Sequence, residues 1–318
     1  MSKVGGGRNF GYGKKLTWAA KNALNDRYGD GHFSTRASHK LRWKIFVDFL
    51  KSERGIKDAR DIDMTVLEQY GKHLRCEVQS QKMTVTYAQN ILSTVNVVLG
   101  TMRKDTVLRT SPVQWVGERS AVRTDVPRTI DRGALMTPIH WLKGKDEERV
   151  VAVVSLCREY GLRFKEASLL NARTALRQAN AQGRINITEG TKGGRGKRAD
   201  RWVQVTPEGL SLLQDVSTLQ GRGKNLLPER HNYKQWRDHA YSQWRLATQK
   251  TDIRGFHDLR AAYACEQYQQ MTGSPAPVLT GNRRTTDRPS DQKARAIIAA
   301  LLGHGRPQVL SAYLGSAR

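Results

Sequence analysis

Residues 301–314, Leu-Leu-Gly-His-Gly-Arg-Pro-Gln-Val-Leu-Ser-Ala-Tyr-Leu, place His304 nine positions before Tyr313. Gly303 is suited to end one helix and Pro307 to begin the next, so the pattern predicts Tyr313 on a short helix and His304 in the preceding turn. The two side chains can then converge. A tyrosine hydroxyl has an ordinary pKa of about 10 and needs a neighbouring base or cations before it can attack an electrophile. If this pair is catalytic, the rest of the chain must supply the cations.

Positive charge dominates the composition. The chain of 318 residues has 54 Lys and Arg against 29 Asp and Glu, a net charge of +25 and a pI of about 10.3. The excess is spread along the chain, with 22 basic against 12 acidic residues in 1–125 and 32 against 17 in the remainder. This distribution indicates a polyanionic partner that contacts both halves. A generally basic protein without a nucleic-acid role is the alternative.

The three cysteines, Cys76, Cys157 and Cys265, are far apart and form no Cys-x-x-Cys pair. Their spacing predicts neither a zinc site nor a disulfide framework, and we interpret them as buried thiols in a reducing compartment. No apolar run is long enough to span a bilayer, and the N-terminus has no apolar signal segment. These features predict a soluble, cytoplasmic protein without a membrane partner.

The first third of the chain predicts a flexible arm followed by a helical bundle. Glycines and basic residues in 1–15 favour a flexible basic arm. Within 16–110, apolar periodicity and cap signals predict four helices. These helices are expected at 17–28, from Ser34 or Thr35 to Gly55, after a capping box of Thr65 and Glu68, and from Thr84 to Met102.

The second predicted helix has an apolar face and a basic face. The apolar face is expected to consist of Leu41, Ile45, Phe46, Phe49 and Leu50. Lys40 and Lys44 on the other face are candidates for DNA contact, and a solvated helix face is the alternative for each. Residues 111–128 lack a helical or strand period and predict a linker to a second domain over 129–318.

The second domain has basic residues at structural junctions. In Gly161-Leu-Arg-Phe-Lys-Glu166, Arg163 follows the glycine that ends a helix. Residues 184–206 predict a β-hairpin whose tip, Thr-Lys-Gly-Gly-Arg-Gly-Lys-Arg at 191–198, combines three glycines with cations. Glycine permits close approach of a phosphate backbone, so the tip predicts DNA contact. The candidate residues there are Lys192, Arg195, Lys197 and Arg198.

A second pair of candidates lies in Gly255-Phe-His-Asp-Leu-Arg260. His257 and Arg260 are three residues apart and share one face at the start of a helix, where a phosphate is favoured. The ordered set now resembles the motifs of tyrosine recombinases, the phage-type integrases. It consists of an arginine in Gly-Leu-Arg-Phe-Lys-Glu, a hairpin lysine, His-x-x-Arg, Leu-Gly-His, and a tyrosine nine residues further on.

The resemblance covers about residues 129–318 and implies a mainly α fold with a small β-hairpin. The family has a helical, SAM-like core-binding domain and a catalytic domain that close around DNA as a C-shaped clamp. By resemblance, Tyr313 would attack the scissile phosphate and leave a 3′-phosphotyrosyl link and a free 5′-hydroxyl. Arg163 and Arg260 would bind the non-bridging oxygens, because guanidinium groups match phosphate geometry. Neither a metal nor a nucleotide cofactor is implied.

The resemblance also assigns the proton transfers. Lys192 would protonate the leaving 5′-oxygen, with Lys197 as the alternative general acid. His257 would assist proton transfer around Tyr313, while His304 would donate a hydrogen bond to the phosphate in the transition state. Glu166 would support Arg163 without acting chemically.

The predicted function is site-specific recombination that integrates or excises a mobile element. Expected partners are double-stranded DNA at attachment sites, three further protomers in a tetramer on that DNA, and host DNA-bending or directionality factors. A type IB topoisomerase and a catalytically inactive DNA-binding relative are the alternatives. The stretch 272–289 is longer than is usual in the family and is predicted to contact DNA or to be disordered. Since five residues follow Tyr313, we expect a monomer in the absence of DNA.

Overall fold

Glycines, prolines and polar caps divide the chain into short helices. The computed structural model describes residues 6–192 and 199–316. The chain separates into two units, of which one ends at Ser120 and the other begins at Ala121. The predicted mainly helical fold with a small β-hairpin is confirmed, since the described strands form one two-stranded sheet.

The helices of the first unit follow the predicted order. They are α1 (Leu16–Tyr28), α2 (Phe33–Arg54), α3 (Met64–Gln79), α4 (Val85–Arg103) and α5 (Pro112–Val116), with 3-10 turns at Arg8–Gly11 and Ala59–Asp61. A helix begins after Thr84 as predicted, and the Thr84 side chain caps it by accepting a hydrogen bond from the Tyr87 N–H. The predicted capping box of Thr65 and Glu68 is wrong, because the Asp63 carboxylate caps α3 through the Val66 N–H at 2.9 Å.

The buried face of α2 differs from the predicted one. Leu41 is 69% exposed, whereas Trp43 is 1% exposed and donates its indole N–H to the Leu16 carbonyl at 3.0 Å. Two residues along a helix correspond to a rotation of about 200°, so Leu41 and Trp43 cannot share one face. The buried residues follow the helical spacing from Trp43 through Phe46 to Leu50. Lys40 and Lys44 are both exposed.

The described part of the predicted flexible arm is packed against the first unit. Asn9 is fully buried. Its backbone N–H donates to the Asp58 carboxylate at 2.9 Å, and its side-chain oxygen accepts from the Ala59 N–H at 2.7 Å. An asparagine that satisfies buried backbone groups fixes the segment in place, which a count of glycines and cations does not indicate.

The predicted linker over 111–128 is divided between the two units. Its first part forms α5, where Trp115 packs against Gly71; a Cβ atom at Gly71 would lie 2.6 Å from the indole ring. Arg75 fixes α5 by donating to the Trp115 carbonyl at 2.6 Å. The last part of the predicted linker belongs to the second unit, where the Arg123 N–H donates to the Ser311 carbonyl at 2.8 Å.

The second unit is built around two central helices, α7 and α12. Its helices and strands are α6 (Met136–Lys143), α7 (Glu148–Tyr160), α8 (Phe164–Leu169), α9 (Ala172–Gln182), β1 (Arg184–Asn186), β2 (Trp202–Gln204), α10 (Pro207–Gln220), α11 (Tyr233–Ala247), α12 (Gly255–Thr272), α13 (Arg288–Leu301) and α14 (Ser311–Leu314). The strands pair antiparallel with Ile185 opposite Val203, and both side chains are fully buried. Short 3-10 turns occur at Arg128–Ile130, Arg132–Leu135, Pro277–Thr280 and Pro307–Leu310.

Buried aromatic side chains fill the second core. Trp236 and Trp244 on α11 and Tyr268 on α12 are at most 2% exposed. Cys157 and Cys265 are buried as expected, but Cys76 is exposed, which corrects the prediction of three buried thiols. Among the described residues, no helix is both long and apolar enough to cross a membrane.

The stretch 272–289 is ordered in the structure, in contrast to the disordered alternative. Ala276 and Val278 are buried, and the Asn282 side-chain oxygen accepts a hydrogen bond from the Ser316 N–H at 2.7 Å. Gly315 lies so close to Val278 that a Cβ atom there would approach its backbone nitrogen to 2.8 Å. The stretch therefore packs against the segment that follows Tyr313.

Candidate active site

The turn between α13 and α14 brings His304 to Tyr313. Gly303 ends α13 with a left-handed φ of 64°, and the His304 N–H then donates to the Ala299 carbonyl at 2.7 Å. Tyr313 lies on α14, next to the fully buried Leu314, and is 8% exposed. Its hydroxyl lies 3.2 Å from His304 Nε2. The predicted convergence of the two side chains is therefore present.

Arg260 supplies the cation beside the tyrosine. It lies on α12, is 1% exposed, and directs Nε to the Tyr313 hydroxyl at 3.4 Å. Its terminal nitrogens donate to the carbonyls of Gly161 and Leu302. Gly161 has a φ of 60°, and any side chain at this position would collide with Tyr263. The glycine therefore lets its carbonyl reach the guanidinium group.

Arg163 enters the site from the N-terminus of α8. Its backbone N–H donates to Glu166 Oε2 at 2.8 Å, and its guanidinium donates to Glu166 Oε1 at 2.6 Å. One carboxylate thus caps the helix and orients the side chain that precedes it. The other terminal nitrogen of Arg163 lies 3.5 Å from His304 Nε2. Glu166 is fully buried.

His304 is neutral in this environment. Burial and the charges of Arg260, Arg163 and Arg201 together lower the pKa of His304 to about 4, and Glu166 opposes this shift only in part. The neighbours of Nε2 are guanidinium nitrogens and the Tyr313 hydroxyl, all of which carry protons to donate. Nε2 is therefore assigned as the acceptor and Nδ1 as the protonated nitrogen. An imidazole in this tautomer can accept the proton of the tyrosine.

His257 and Lys192 border the site from two sides. His257 is exposed at the start of α12 and lines a cavity with Arg163, Arg260 and Tyr241. Loss of surrounding water lowers the pKa of His257, and the charges of Arg260, Arg163 and Arg123 lower it further. The hydrogen bonds found for the Tyr313 hydroxyl in the described part of the chain involve His304 and Arg260, not His257.

Lys192 lines a separate cleft of about 190 Å³ together with Arg163, Arg201 and His304. The lysine is exposed. The remaining hairpin candidates, Arg195, Lys197 and Arg198, lie outside the described residues. Within the described ranges no group of three or more His, Cys, Asp or Glu side chains could hold a metal ion.

Arg201 is a site residue that the sequence analysis missed. It directly precedes β2, is 6% exposed and forms an ion pair with Glu166 at 2.9 Å. Its Nε donates to the Leu301 carbonyl at 2.8 Å. The available signal was an arginine among the apolar residues of a strand, which by itself does not distinguish a buried ion pair from a solvated charge. We call Arg163, Glu166, Arg201 and Arg260 the Glu166 cluster.

Part of the chain is similar in sequence to a known protein family. The sequence model of a family described as Integrase matches residues 117–266. The match contains Arg163, Lys192, His257 and Arg260 and ends before the segment that carries Tyr313. The chain is therefore similar to this family over somewhat less than half of its length. No curated protein sequence is significantly similar to it.

Solved structures of the Tn1549 transposon integrase have the same fold as this chain. One, in complex with a circular intermediate DNA, aligns with a TM-score of 0.58 at 10% identity, over 94% of this chain and 95% of that one. Another, in complex with transposon right end DNA, aligns with a TM-score of 0.57 at 10% identity, over 94% of each chain. At this identity the likeness shows the fold alone.

Proposed function

We propose that the chain is a site-specific DNA recombinase that cleaves and rejoins DNA through a 3′-phosphotyrosyl intermediate at Tyr313. The observation that carries the proposal is the position of the Tyr313 hydroxyl, 3.2 Å from His304 Nε2 and 3.4 Å from Arg260 Nε. A nucleophile next to a neutral base and a fixed cation is the arrangement that attack on a phosphodiester requires.

The tyrosine oxygen would form a bond to the scissile phosphorus, and the bond from phosphorus to the 5′-oxygen would break. Arg163 and Arg260 would bind the two non-bridging oxygens and stabilise the charge that develops there. Lys192 would transfer a proton to the leaving 5′-oxygen. Attack of a 5′-hydroxyl on the phosphotyrosine would reverse these steps and join the strands.

The two histidines would have different roles. The contacts of the described residues favour His304 as the acceptor of the tyrosine proton, because its Nε2 already lies within hydrogen-bonding distance of the hydroxyl. Once DNA is bound and the ring has taken the tyrosine proton, His304 would donate a hydrogen bond to a phosphate oxygen. His257, which is more exposed, would bind DNA or assist the proton transfer from the outer side of the site. This differs from the assignment that the family resemblance implies, where His257 has the first role.

The net charge of +25 supports duplex DNA as the substrate, because each neutralised phosphate releases bound counterions. Exchange between two attachment sites requires four active sites, so a homotetramer on DNA is part of the proposal. Integration or excision of a mobile element, assisted by host DNA-bending factors, is the biological process that we propose. A topoisomerase would relax a supercoiled plasmid without exchanging strands between two sites.

A trapping experiment tests the proposal. On a nicked duplex from which the fragment with the free 5′-hydroxyl diffuses away, wild-type protein should form a covalent adduct and Tyr313→Phe should form none. Tyr263→Phe is the matched control, since Tyr263 is also on the buried side of the site but burial raises its pKa to about 12. Both variants should bind the duplex as wild type does. Adduct from Tyr313→Phe, or loss of adduct only in Tyr263→Phe, would contradict the assignment.

A further inference from the structure

Arg201 is fixed to the base of the β-hairpin. Its carbonyl accepts a hydrogen bond from the Ile187 N–H at 2.9 Å, and its own N–H donates to the Asn186 side chain at 3.0 Å. Lys192, which belongs to the hairpin, lines the same cleft as Arg201. A side chain at this position can therefore connect the hairpin to the residues beneath the cleft.

The first connection is to the end of α13. Arg201 Nε donates to the Leu301 carbonyl, and Arg260 donates to the carbonyl of the next residue, Leu302. Carbonyl groups at a helix C-terminus lack intrahelical partners and favour cations. Gly303 packs directly over the Arg201 guanidinium, since a Cβ atom on Gly303 would lie 2.9 Å from its terminal nitrogen. His304 comes next, so Arg201 supports the turn that positions it.

The second connection is to Glu166. The carboxylate is shared by Arg163 at 2.6 Å and Arg201 at 2.9 Å, with Arg260 at 3.8 Å. Burial raises the pKa of Glu166, but the three arginines and the Arg163 N–H outweigh burial, and Arg201 is the largest of these electrostatic contributions. The carboxylate therefore stays ionised, and Arg201 contributes much of the charge that balances it.

We infer that Arg201 is a positioning residue for strand transfer: it balances Glu166 and anchors the end of α13, so that Arg163, Arg260 and His304 remain directed at the scissile phosphate. Without Arg201, the buried carboxylate would have only Arg163 and Arg260 as partners, and it would compete with the phosphate for them. This inference rests on the proposed function.

Arg201→Met is the direct test, and Arg158→Met is its matched control. Arg158 is also a buried arginine of the second unit; it pairs with Glu266 and donates to the Thr129 carbonyl at 2.8 Å. Its contacts in the described residues do not include Glu166 or any of the six proposed catalytic residues. Both variants lose a buried charge, so both should be less stable than wild type.

Their adduct-forming rates should differ. With saturating nicked duplex and correction for the folded fraction, Arg201→Met should form adduct about 10²-fold more slowly than wild type, as expected for misplaced catalytic groups. Arg158→Met should keep the wild-type rate. The acid limb of the pH–rate profile should also move to higher pH in Arg201→Met, because a positive charge near His304 is removed. Affinity for DNA should stay the same, since Arg201 is not required to touch it.

A double-mutant cycle separates positioning from general destabilisation. When Glu166→Gln has removed the carboxylate that Arg201 balances, adding Arg201→Met should cost less than tenfold in rate, whereas it costs about 10²-fold in the wild-type background. If Arg201→Met does not fold, Arg201→Lys, which retains the charge but loses the fork of donors, replaces it in both backgrounds.

The inference would be overturned if Arg201→Met kept the wild-type rate, or if its penalty were equal in both backgrounds. Failure of the proposed function is distinguishable, because wild-type protein would then form no adduct with any nicked duplex. A wild-type adduct together with unaffected Arg201 variants would therefore reject only the positioning role.

Discussion

Two clusters of arginine and glutamate in the second unit have different charge balances. The Glu166 cluster contains three arginines around one carboxylate. The second, which we call the Glu266 cluster, contains Arg132 and Arg158 with Glu159 and Glu266. Two cations and two carboxylates cancel in the Glu266 cluster, whereas the Glu166 cluster keeps two positive charges in excess.

The difference indicates which cluster is prepared for an anion. In the Glu266 cluster the guanidinium of Arg158 is used by Glu266 and by the carbonyl of Thr129, so its donors are already occupied within the fold. In the Glu166 cluster the surplus charge lies beside Tyr313 and His304. Uncompensated buried charge is unfavourable, and a phosphate with one negative charge would relieve part of it. The same residue types are therefore structural in one place and suited to catalysis in the other.

The largest expected effect comes from a cation outside both clusters. Lys192→Ala should slow adduct formation by about 10² to 10⁴-fold, the usual effect of losing a general acid. Replacing the bridging 5′-oxygen by sulfur should restore most of this rate, because a thiolate leaves without protonation. The same sulfur should not rescue Arg260→Ala. If Lys197→Ala is rescued and Lys192→Ala is not, the general acid has been misassigned.

The same substitution, arginine to alanine, made once in each cluster tests the comparison between them. Arg163→Ala should reduce the adduct-forming rate about 10² to 10³-fold, as for loss of one donor to a developing oxyanion. Arg158→Ala should leave the rate per folded molecule unchanged but lower the free energy of unfolding by about 1 to 3 kcal/mol, because the Thr129 carbonyl and the partly buried Glu266 each lose a donor. Urea denaturation and single-turnover kinetics on both variants measure these two quantities. Equal effects on rate would remove the distinction between the clusters.

Local signals explain the part of the fold that the sequence predicted. Gly55 and Gly161 end helices because they adopt a left-handed φ of 64° and 60°, and Thr84 caps α4 with its own side chain. Such features depend on a few neighbouring residues. Leu41 was misplaced because two nearly opposite faces of α2 both contain large apolar residues, and only the packing of Trp43 against α1 decides between them.

The residues of the candidate site could be predicted from the sequence where they lie in motifs of fixed order and spacing. The spacing of His304 and Tyr313 predicted a contact that the structure contains at 3.2 Å. Arg201 was not predictable, because its partners Glu166 and Leu301 are 35 and 100 residues away in sequence and only the tertiary fold brings them together. The balance of charges inside a cluster is likewise a property of the fold.

The smallest expected effect concerns pH and stability. Because the pKa of His304 falls to about 4 in the fold, from about 6.5 in an unfolded chain, protons bind the unfolded state more readily between these values. Wild-type protein should therefore lose stability as the pH falls from about 6.5 towards 4. His304→Gln should lose less over the same range in urea denaturation at pH 7 and pH 5. An identical loss in both proteins would show that His304 does not titrate as described.

The central claim is that the excess positive charge of the Glu166 cluster acts on the negative charge of the scissile phosphate. A duplex with a neutral methylphosphonate at the scissile position tests it most directly, because one charged non-bridging oxygen is replaced by a methyl group. We predict that Arg260→Ala reduces adduct formation by about 10² to 10³-fold on the phosphate duplex and by less than tenfold on the methylphosphonate duplex. An equal penalty on the two duplexes would show that Arg260 does not act on the phosphate charge, and would contradict the account.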